Sequence, residues 1–317
     1  MAGLTPIVGV WGTILLKVEE DGSLDLSAIA EQVTHYAAAG LQGVYSNGTA
    51  GEFHCQTEAQ FRAVSSATAM AASAAGLPFQ LGAAHPLAPG TLERVAFAAT
   101  LAPRAIQVTL PDWTPIDLAS AIRFLRRCAD VAGETALVLY NPPHAKTLLS
   151  PEQLCKVIDS VPQIAGLKCA GGDANWYMDM APVLAQISVF IPGHHYASGT
   201  ARGAHGSYSN MACLNPAATA KWAAQCKTDT KGAMDTEARI AAFMDEAIAP
   251  ILAAGNQGYA CDKAMAVAGG WTNMTSRLMW PCVGLSPKLT SQIAKAAHQH
   301  LPEWCCQTNS NQSQPGQ

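Results

Sequence analysis

One lysine in this sequence stands where a buried strand would end, and it could serve as an amine nucleophile. Lys168 follows the apolar residues Ile164-Ala165-Gly166-Leu167, and Gly171-Gly172-Asp173 then turns the chain. Burial disfavours the charged ammonium form and lowers the pKa of a lysine. The neutral amine can attack a carbonyl group and form a Schiff base. The alternative is an ordinary strand-end lysine whose ammonium group reaches water, and this stretch alone does not separate the two.

A tyrosine ends the preceding apolar stretch. Tyr140 follows Ala136-Leu137-Val138-Leu139 and precedes Asn141-Pro142-Pro143-His144. Because the strands ending at Tyr140 and Lys168 are neighbours along the chain, the two side chains can converge. A Schiff-base reaction also needs a group that moves protons through the carbinolamine and enamine steps, and a phenol does so without adding negative charge. Lys168 and Tyr140 are therefore the predicted catalytic residues.

The loop Gly48-Thr49-Ala50-Gly51 follows another short apolar stretch. Its backbone N–H groups and the Thr49 hydroxyl suit a carboxylate, which is the constant end of a 2-oxo acid. Taken alone, the loop is better explained as a tight turn that needs glycine, since short glycine motifs are weak signals. We nevertheless predict Gly48, Thr49, Ala50 and Gly51 as substrate-binding residues.

Two more residues follow predicted strands and are added to the predicted substrate-binding set. Trp113 comes shortly after the fourth strand, and Ser209 ends the eighth. Trp113 either lines an apolar pocket mouth or is a core residue.

The sequence predicts neither a metal site nor a cofactor. Adjacent residues on a strand point to opposite faces, so His194-His195 would rarely hold one ion together. The ten cysteines include no Cys-x-x-Cys pair, and we interpret isolated ones such as Cys128 and Cys155 as core residues of a reduced, cytoplasmic protein.

The elements that must position these residues alternate between strands and helices. Near-continuous apolar strands that alternate with helices are typical of a parallel sheet covered on both faces. Eight such units suit a (β/α)8 TIM barrel better than a doubly wound open sheet. The predicted strands cover residues 6–16, 43–47, 79–83, 105–110, 136–140, 164–170, 188–191 and 206–209.

The chain then changes character. After Asn215-Pro216 the strands stop, and residues 221–254, 258–268 and 286–301 have helical patterns. We predict a barrel over residues 1–220, an additional C-terminal helical region over 221–303 that packs on it, and a disordered tail over 304–317.

The amino-acid composition limits the classes of molecule that this protein is expected to bind. The chain has 317 residues, 49% of them hydrophobic and only 13% charged, with a net charge of −4. No basic stripe is present to neutralise nucleic-acid phosphates, no apolar run reaches membrane-spanning length, and the N-terminus lacks the basic region of a secretory signal. The low charged fraction favours self-association into a dimer or tetramer.

Four motifs together give the chain a family resemblance over roughly residues 5–300. They are Gly48-Thr49-Ala50-Gly51-Glu52, Leu139-Tyr140-Asn141-Pro142-Pro143, Gly166-Leu167-Lys168 and His205-Gly206-Ser207-Tyr208-Ser209-Asn210. In these motifs and their order the chain resembles the family of dihydrodipicolinate synthase and N-acetylneuraminate lyase. The resemblance implies a TIM barrel, usually in a tetramer, that acts on pyruvate-like 2-oxo acids. It also implies Lys168 as the Schiff-base lysine, Tyr140 as the proton-transfer phenol and the Thr49 loop as the carboxylate site.

The sequence departs from this family at three places. Ala50 replaces the second of two consecutive hydroxyl residues, and Ala145 stands where dihydrodipicolinate synthase has an arginine. Pro111-Asp112-Trp113 replaces a tyrosine pair that lends a phenol across a subunit interface. The usual proton relay of one threonine and two tyrosines therefore cannot be assembled, and neither lysine biosynthesis nor sialic acid cleavage is favoured. Asp112, His144 and Ser209 are candidate replacements.

The predicted activity is that of a lyase acting on a 2-oxo acid through a Lys168 Schiff base, by pyruvate-type aldol cleavage or condensation. One alternative is a dehydratase of 2-keto-3-deoxy sugar acids, which uses the same imine. Another is a barrel that binds a metabolite without catalysis, since fold does not dictate function. Trp113 and the missing arginine favour a less charged or aromatic second substrate, as in the hydratase-aldolases of aromatic breakdown.

Overall fold

Eight parallel strands close into a barrel in the computed structural model, which describes residues 5–305. Each strand pairs with the next along the chain, and the first pairs with the eighth. The predicted (β/α)8 barrel with additional C-terminal helices is confirmed. The strands are β1 (Gly9–Thr13), β2 (Gly43–Ser46), β3 (Phe79–Gly82), β4 (Ala105–Thr109), β5 (Ala136–Tyr140), β6 (Ile164–Lys168), β7 (Ser188–Pro192) and β8 (Gly206–Ser209).

Helices surround the barrel and continue after it. None of the helices between residues 5 and 305 is both long and apolar enough to cross a membrane. They are α1 (Ser27–Ala39), α2 (Glu58–Ala74), α3 (Ala88–Thr100), α4 (Leu118–Ala132), α5 (Pro151–Ser160), α6 (Ala174–Asp179), α7 (Ala181–Leu184), α8 (Tyr196–Ala201), α9 (Met211–Leu214), α10 (Pro216–Thr228), α11 (Thr230–Phe243), α12 (Ala249–Ala253), α13 (Gly258–Gly269) and α14 (Pro287–His300).

The strands are buried because both of their faces are covered. All four residues of β2, β3 and β8 are buried, as the near-continuous apolar pattern predicts. The outward side chains pack under the helices in one large apolar core. The barrel interior holds a second cluster that is rich in aromatic rings, including Trp11, Tyr45, Phe190 and Tyr208. The interior of the barrel is therefore filled by packed side chains, several of them aromatic rings.

Local signals place several helix ends where the sequence predicts them. Thr57 caps α2, with its hydroxyl accepting from the Gln60 N–H and the Gln60 side chain accepting from the Thr57 N–H. Gly40 ends α1 in the left-handed conformation, with φ of 80°. These caps align the helices with the strands that follow them.

Two predicted helices are interrupted. The predicted helix at 176–186 is two short helices, because Pro182 near the start of α7 has no N–H to continue α6. The predicted helix at 221–254 breaks at Asp229, whose carboxylate accepts the Gly232 N–H and so caps α11. A π-helical turn, Met244–Ile248, then separates α11 from α12.

The predicted tail begins inside the packed structure. Trp304 lies in the short 3-10 helix Pro302–Trp304, is 2% exposed and contacts the Trp222 ring. Its carbonyl accepts from the Asn215 side chain at 2.8 Å. Residues 306–317 lie outside the described residues, and the division of the chain near residue 220 stays a prediction.

One buried ion pair ties the C-terminal helices to the barrel. Lys263 on α13 donates to the Glu52 carboxylate at 2.5 Å, and both side chains have no exposure to solvent. Lys263 also donates to the Arg277 carbonyl, while the Met279 N–H donates to the other Glu52 oxygen. Glu52 closes the loop after β2 in a left-handed conformation, with φ of 53°. The pair thus links that loop to α13 and to the segment that follows it.

We expect Lys263→Met to lower the free energy of unfolding by about 3–5 kcal/mol, because it leaves the Glu52 carboxylate buried without a counter-charge. Urea unfolding measures this change. Lys156→Met is the control, since the pair of Lys156 with Glu152 is exposed and should contribute only about 0.3–0.5 kcal/mol. Equal losses in the two variants would contradict the role assigned to the buried pair.

Candidate active site

Lys168 ends β6 at the carboxyl end of the barrel, surrounded by tyrosines. Its Nζ lies 4.3 Å from the ring centroid of Tyr140, 4.9 Å from that of Tyr45 and 5.2 Å from that of Tyr208. It donates to the Tyr45 hydroxyl at 3.2 Å. The Tyr45 and Tyr208 rings contact each other edge to face at 4.6 Å, and Tyr208 stacks on Phe190. The amine is thus held in a pocket of rings with one neutral hydrogen-bond partner.

This environment favours the neutral amine. Burial lowers the pKa of Lys168 from 10.5 to about 8, although the Asp262 carboxylate opposes that shift. At pH 7 such a pKa leaves about one amine in ten unprotonated, whereas an ordinary lysine leaves about one in 2,500. Lys168 therefore has the protonation behaviour that a Schiff-base nucleophile needs.

Asp262 on α13 brings a carboxyl group to the same end of the barrel. Burial raises its pKa to about 7, and the Lys168 ammonium opposes that rise. Within the described chain no side chain or backbone group donates a hydrogen bond to this carboxylate. Burial therefore brings the pKa values of Lys168 and Asp262 much closer together than those of an ordinary lysine and aspartate.

Tyr140 lies beside Lys168 as the strand order predicts. The two residues are register partners at the ends of β5 and β6. Burial raises the pKa of Tyr140, and hydrogen bonding with Thr49 opposes the rise. The phenol is therefore protonated at neutral pH and lies between the amine and the Thr49 hydroxyl, where it can pass a proton.

The loop after β2 is a tight turn that also leaves backbone N–H groups without acceptors in the described part of the chain. Gly48 is required by packing, since a Cβ there would lie 2.5 Å from the Tyr45 ring. The N–H groups of Thr49, Ala50 and Gly51 also donate to no acceptor within residues 5–305. Three free donors on one turn are what an anion-binding loop needs, and substrate binding by this loop stays a prediction. Ala50 is buried and supplies no hydroxyl.

Buried polar contacts hold this loop in shape. Asn47 enters it with φ of 55°, a strained conformation for a non-glycine residue. Its side chain donates to the Ser65 hydroxyl at 2.8 Å and accepts from Gln56 at 3.1 Å. Gln56 also donates to the Gly51 carbonyl at 2.8 Å. The conformation of the loop is therefore fixed by hydrogen bonds within the protein.

A cleft of about 250 Å³ leads to this centre, with Thr49 and Tyr140 on its walls. Trp113 lines the cleft and is 90% exposed, so it lies at the pocket mouth rather than in the core. The Asp112 carboxylate accepts the Lys146 N–H at 2.6 Å, which ties it to the loop after β5. Ala145, which stands at the family's arginine position, faces the same cleft.

Two other residues considered in the sequence analysis form hydrogen bonds with neighbouring protein groups. Ser209 is buried at the end of β8, where its hydroxyl accepts the Ala212 N–H at 3.1 Å, and its role in substrate binding stays a prediction. His194 contacts the Asn210 side chain, and burial lowers the pKa of His194 to about 4. A larger cavity lies at the opposite end of the barrel beside Ala165, but no lysine of the described chain lines it.

Sequence reasoning missed Tyr45, Tyr208 and Asp262. The two tyrosines stand within short apolar strands, where they resemble core residues. Asp262 had a signal, because Asp262-Lys263 is a charged pair within the otherwise uncharged helix Gly258–Gly269. Charged residues on such a helix are rarely buried without a partner or a function.

Comparisons with known proteins identify the family and the fold of this chain. The sequence model of the dihydrodipicolinate synthetase family matches residues 6–256. The chain is also similar to the crystal structure of YagE, an E. coli K12 prophage protein of the dihydrodipicolinic acid synthase family, in complex with pyruvate. The TM-score is 0.82 at 19% identity, covering 94% of this chain and 99% of that one. At that identity the likeness establishes the fold alone.

Three curated relatives match this chain over a smaller part of its length. An uncharacterised DapA-like lyase of Halobacterium salinarum is 27% identical over 193 residues, covering 58% of this chain and 62% of the relative, which is less than two thirds of its length. A 4-hydroxy-tetrahydrodipicolinate synthase of Exiguobacterium is 28% identical over 259 residues, covering 77% and 83%. A trans-O-hydroxybenzylidenepyruvate hydratase-aldolase of Pseudomonas aeruginosa is 26% identical over 149 residues, covering 47% and 44%.

We expect Asp262→Asn to lower the pKa of Lys168 further below 8, because the carboxylate is what raises it. The neutral fraction of the amine at pH 7 should then increase. The pH dependence of Lys168 labelling by an amine-selective reagent, read by peptide mass mapping, measures this. Asp112→Asn is the control on the cleft wall and should leave the curve in place; an unchanged curve in Asp262→Asn would contradict the pairing.

Proposed function

Because this chain belongs to the dihydrodipicolinate synthetase family, we propose that it is a lyase that cleaves or forms a carbon–carbon bond of a 2-oxo acid through a Schiff base on Lys168. The family's named relatives include lyases and hydratase-aldolases. The observation that carries the proposal is the half-buried Lys168 amine, with its pKa lowered to about 8 among three tyrosine rings.

The substrate's carboxylate binds the loop after β2 in this proposal. The free N–H groups of Thr49, Ala50 and Gly51 donate hydrogen bonds to its oxygen atoms. Thr49 also interacts with Tyr140, which lies beside Lys168. A 2-oxo acid anchored there has its keto carbon next to its carboxylate and therefore near the amine. No charged side chain is needed for this step.

Imine formation then requires a series of proton transfers, which the proposal assigns to Asp262 and Tyr140. Asp262 takes a proton from the Lys168 ammonium, a transfer favoured because burial lowers the pKa of Lys168 and raises that of Asp262. The neutral nitrogen attacks the keto carbon, and Tyr140 donates its proton to the oxygen that becomes the carbinolamine hydroxyl. The adduct nitrogen returns one proton to Tyr140, which passes it to that hydroxyl, so that water leaves, the iminium ion remains and Tyr140 is deprotonated.

The iminium ion accepts the electron pair of the breaking bond. In the cleavage direction the bond between C3 and C4 breaks, a base takes the C4 hydroxyl proton, and an aldehyde leaves. The electrons form an enamine on Lys168, which is protonated at C3 and hydrolysed to the shorter 2-oxo acid. Tyr140, once deprotonated, is the base that the geometry favours, because it lies between Lys168 and the cleft.

The second substrate is proposed to be apolar or aromatic. Trp113 presents an exposed ring at the cleft mouth, and Ala145 offers no positive charge for a second carboxylate. One curated relative carries the name trans-O-hydroxybenzylidenepyruvate hydratase-aldolase. The predicted cytoplasmic location and homo-oligomer belong to the same proposal.

A product assay separates this reaction from its alternatives. Release of pyruvate and an aldehyde from a 4-hydroxy-4-aryl-2-oxobutanoate would support the aldolase. Loss of water from a 2-keto-3-deoxy sugar acid, without pyruvate, would support the dehydratase. Neither reaction, together with saturable 2-oxo acid binding, would support a binding protein.

We expect borohydride to trap pyruvate on Lys168, because reduction fixes the imine as a stable secondary amine. Intact mass and peptide mapping locate the adduct. Lys168→Arg should give none, since a guanidinium stays protonated, whereas Lys146→Arg at the cleft rim is the matched control and should trap normally. Absence of any adduct with pyruvate or longer 2-oxo acids would sink the Schiff-base proposal.

We expect Tyr140→Phe to lower turnover by about 10²- to 10⁴-fold, the usual contribution of a positioned proton donor. The imine should still be trapped on long incubation, because Lys168 is intact. Steady-state kinetics and trapping measure the two effects, with Tyr177→Phe as a buried control outside the site. Turnover within a few-fold of the parent would show that another group moves the protons.

A further inference from the structure

Two cysteines that are far apart in sequence meet beside the cleft, next to a histidine. Cys55 follows the loop after β2, and Cys282 lies between α13 and α14, yet their sulfur atoms are 3.8 Å apart. A ring nitrogen of His54 lies with both sulfurs in a group whose ligand atoms are all within 4.8 Å of one another. These three residues are called the thiol–imidazole cluster.

The protein holds the cluster in place through Glu52. The Glu52 carbonyl accepts the Cys55 N–H at 2.9 Å. Its carboxylate accepts the Met279 N–H at 2.7 Å, and the Met279 carbonyl in turn accepts the Cys282 N–H at 2.9 Å. The fully buried bond to Lys263 fixes Glu52 itself. Both sulfur-bearing segments are thus fixed by one residue, so the cluster exists before any ligand binds.

The donor set and its spacing suit a particular class of cation. Thiolate and imidazole are the ligands that Zn²⁺ prefers, at about 2.3 Å from sulfur and 2.0–2.1 Å from nitrogen. Two thiolates at that distance on a tetrahedral ion lie about 3.8 Å apart, which is the separation of Cys55 and Cys282. The same separation is far longer than a disulfide bond of about 2.05 Å.

We propose that His54, Cys55 and Cys282 bind one Zn²⁺ ion and leave a fourth position open. The ion replaces the two thiol protons, which pass to solvent, and no oxidant or reductant takes part. The expectation of no metal site came from His194-His195, whereas these ligands are assembled by the fold from two distant segments.

The ion would join the segment that follows β2 to the segment that follows α13. His54 lines the cleft that leads to Lys168. Cys282 belongs to the segment that follows α13, the helix that carries Asp262. Binding therefore connects the catalytic loop to the C-terminal helices at a second point beside the Glu52–Lys263 pair. This role is independent of the proposed lyase activity.

The test uses the full, untagged chain, reduced and stripped with a chelator, with Co²⁺ as the spectroscopic probe. We expect one Co²⁺ per chain, with sulfur-to-cobalt charge-transfer bands and the visible bands of a tetrahedral site. Zn²⁺ should displace it. Cys55→Ser and Cys282→Ser should each abolish the charge-transfer signal of a two-thiolate site. His54→Ala should lower the affinity for Zn²⁺ by about tenfold or more.

Cys155→Ser is the matched control, because Cys155 is also partly exposed but lies outside the cluster. Circular dichroism of every variant shows whether it is folded. Absence of tetrahedral bands, or bands that persist in both Cys55→Ser and Cys282→Ser, would overturn the proposal. So would mild oxidation that pairs Cys55 with Cys282 in a chain that binds no Co²⁺, which would identify a redox pair instead.

Discussion

The loss of hydration of one ammonium group governs the chemistry at the carboxyl end of the barrel. Rings from β2, β5 and β8 surround the Lys168 amine and replace water with weakly polar contacts. A single carboxyl group, Asp262, opposes this effect from outside the barrel. Because burial penalises both charges while their attraction favours them, the two pKa values approach each other. The amine can therefore be neutral or charged near pH 7 at small cost.

The C-terminal helices take part in the site through buried electrostatics. Helix α13 supplies Asp262 to the amine and, one residue later, Lys263 to the loop that carries Thr49. The buried pair of Lys263 and Glu52 fixes the angle of α13 because neither charge can turn towards water. The ion pair thereby couples the position of the loop after β2 to the position of Asp262, although the two segments are about 210 residues apart in the chain.

Three residues at which the chain departs from its family, Asp112, Trp113 and Ala145, line the cleft. Thr49 and one tyrosine, Tyr140, of the family's proton relay are present, and they are hydrogen-bonded to each other. Trp113 and Ala145 line the part of the cleft where the proposed second substrate would bind. The Asp112 carboxylate is held by a hydrogen bond to the loop after β5. In the proposed function the exposed Trp113 ring selects the second substrate by apolar contact, whereas an arginine would select a carboxylate.

The order of strands and helices, the strand-end positions of Lys168 and Tyr140 and the glycine loop were readable from the sequence. Their signals are local: apolar runs, caps and turns depend on neighbouring residues. Breaks at Pro182 and Asp229 carried local signals too. Only the closed barrel decided that Tyr45, Tyr208 and Asp262 surround the amine, and that Cys55 meets Cys282. Those contacts join residues far apart in the chain, and a side chain's burial and pKa depend on what packs against it.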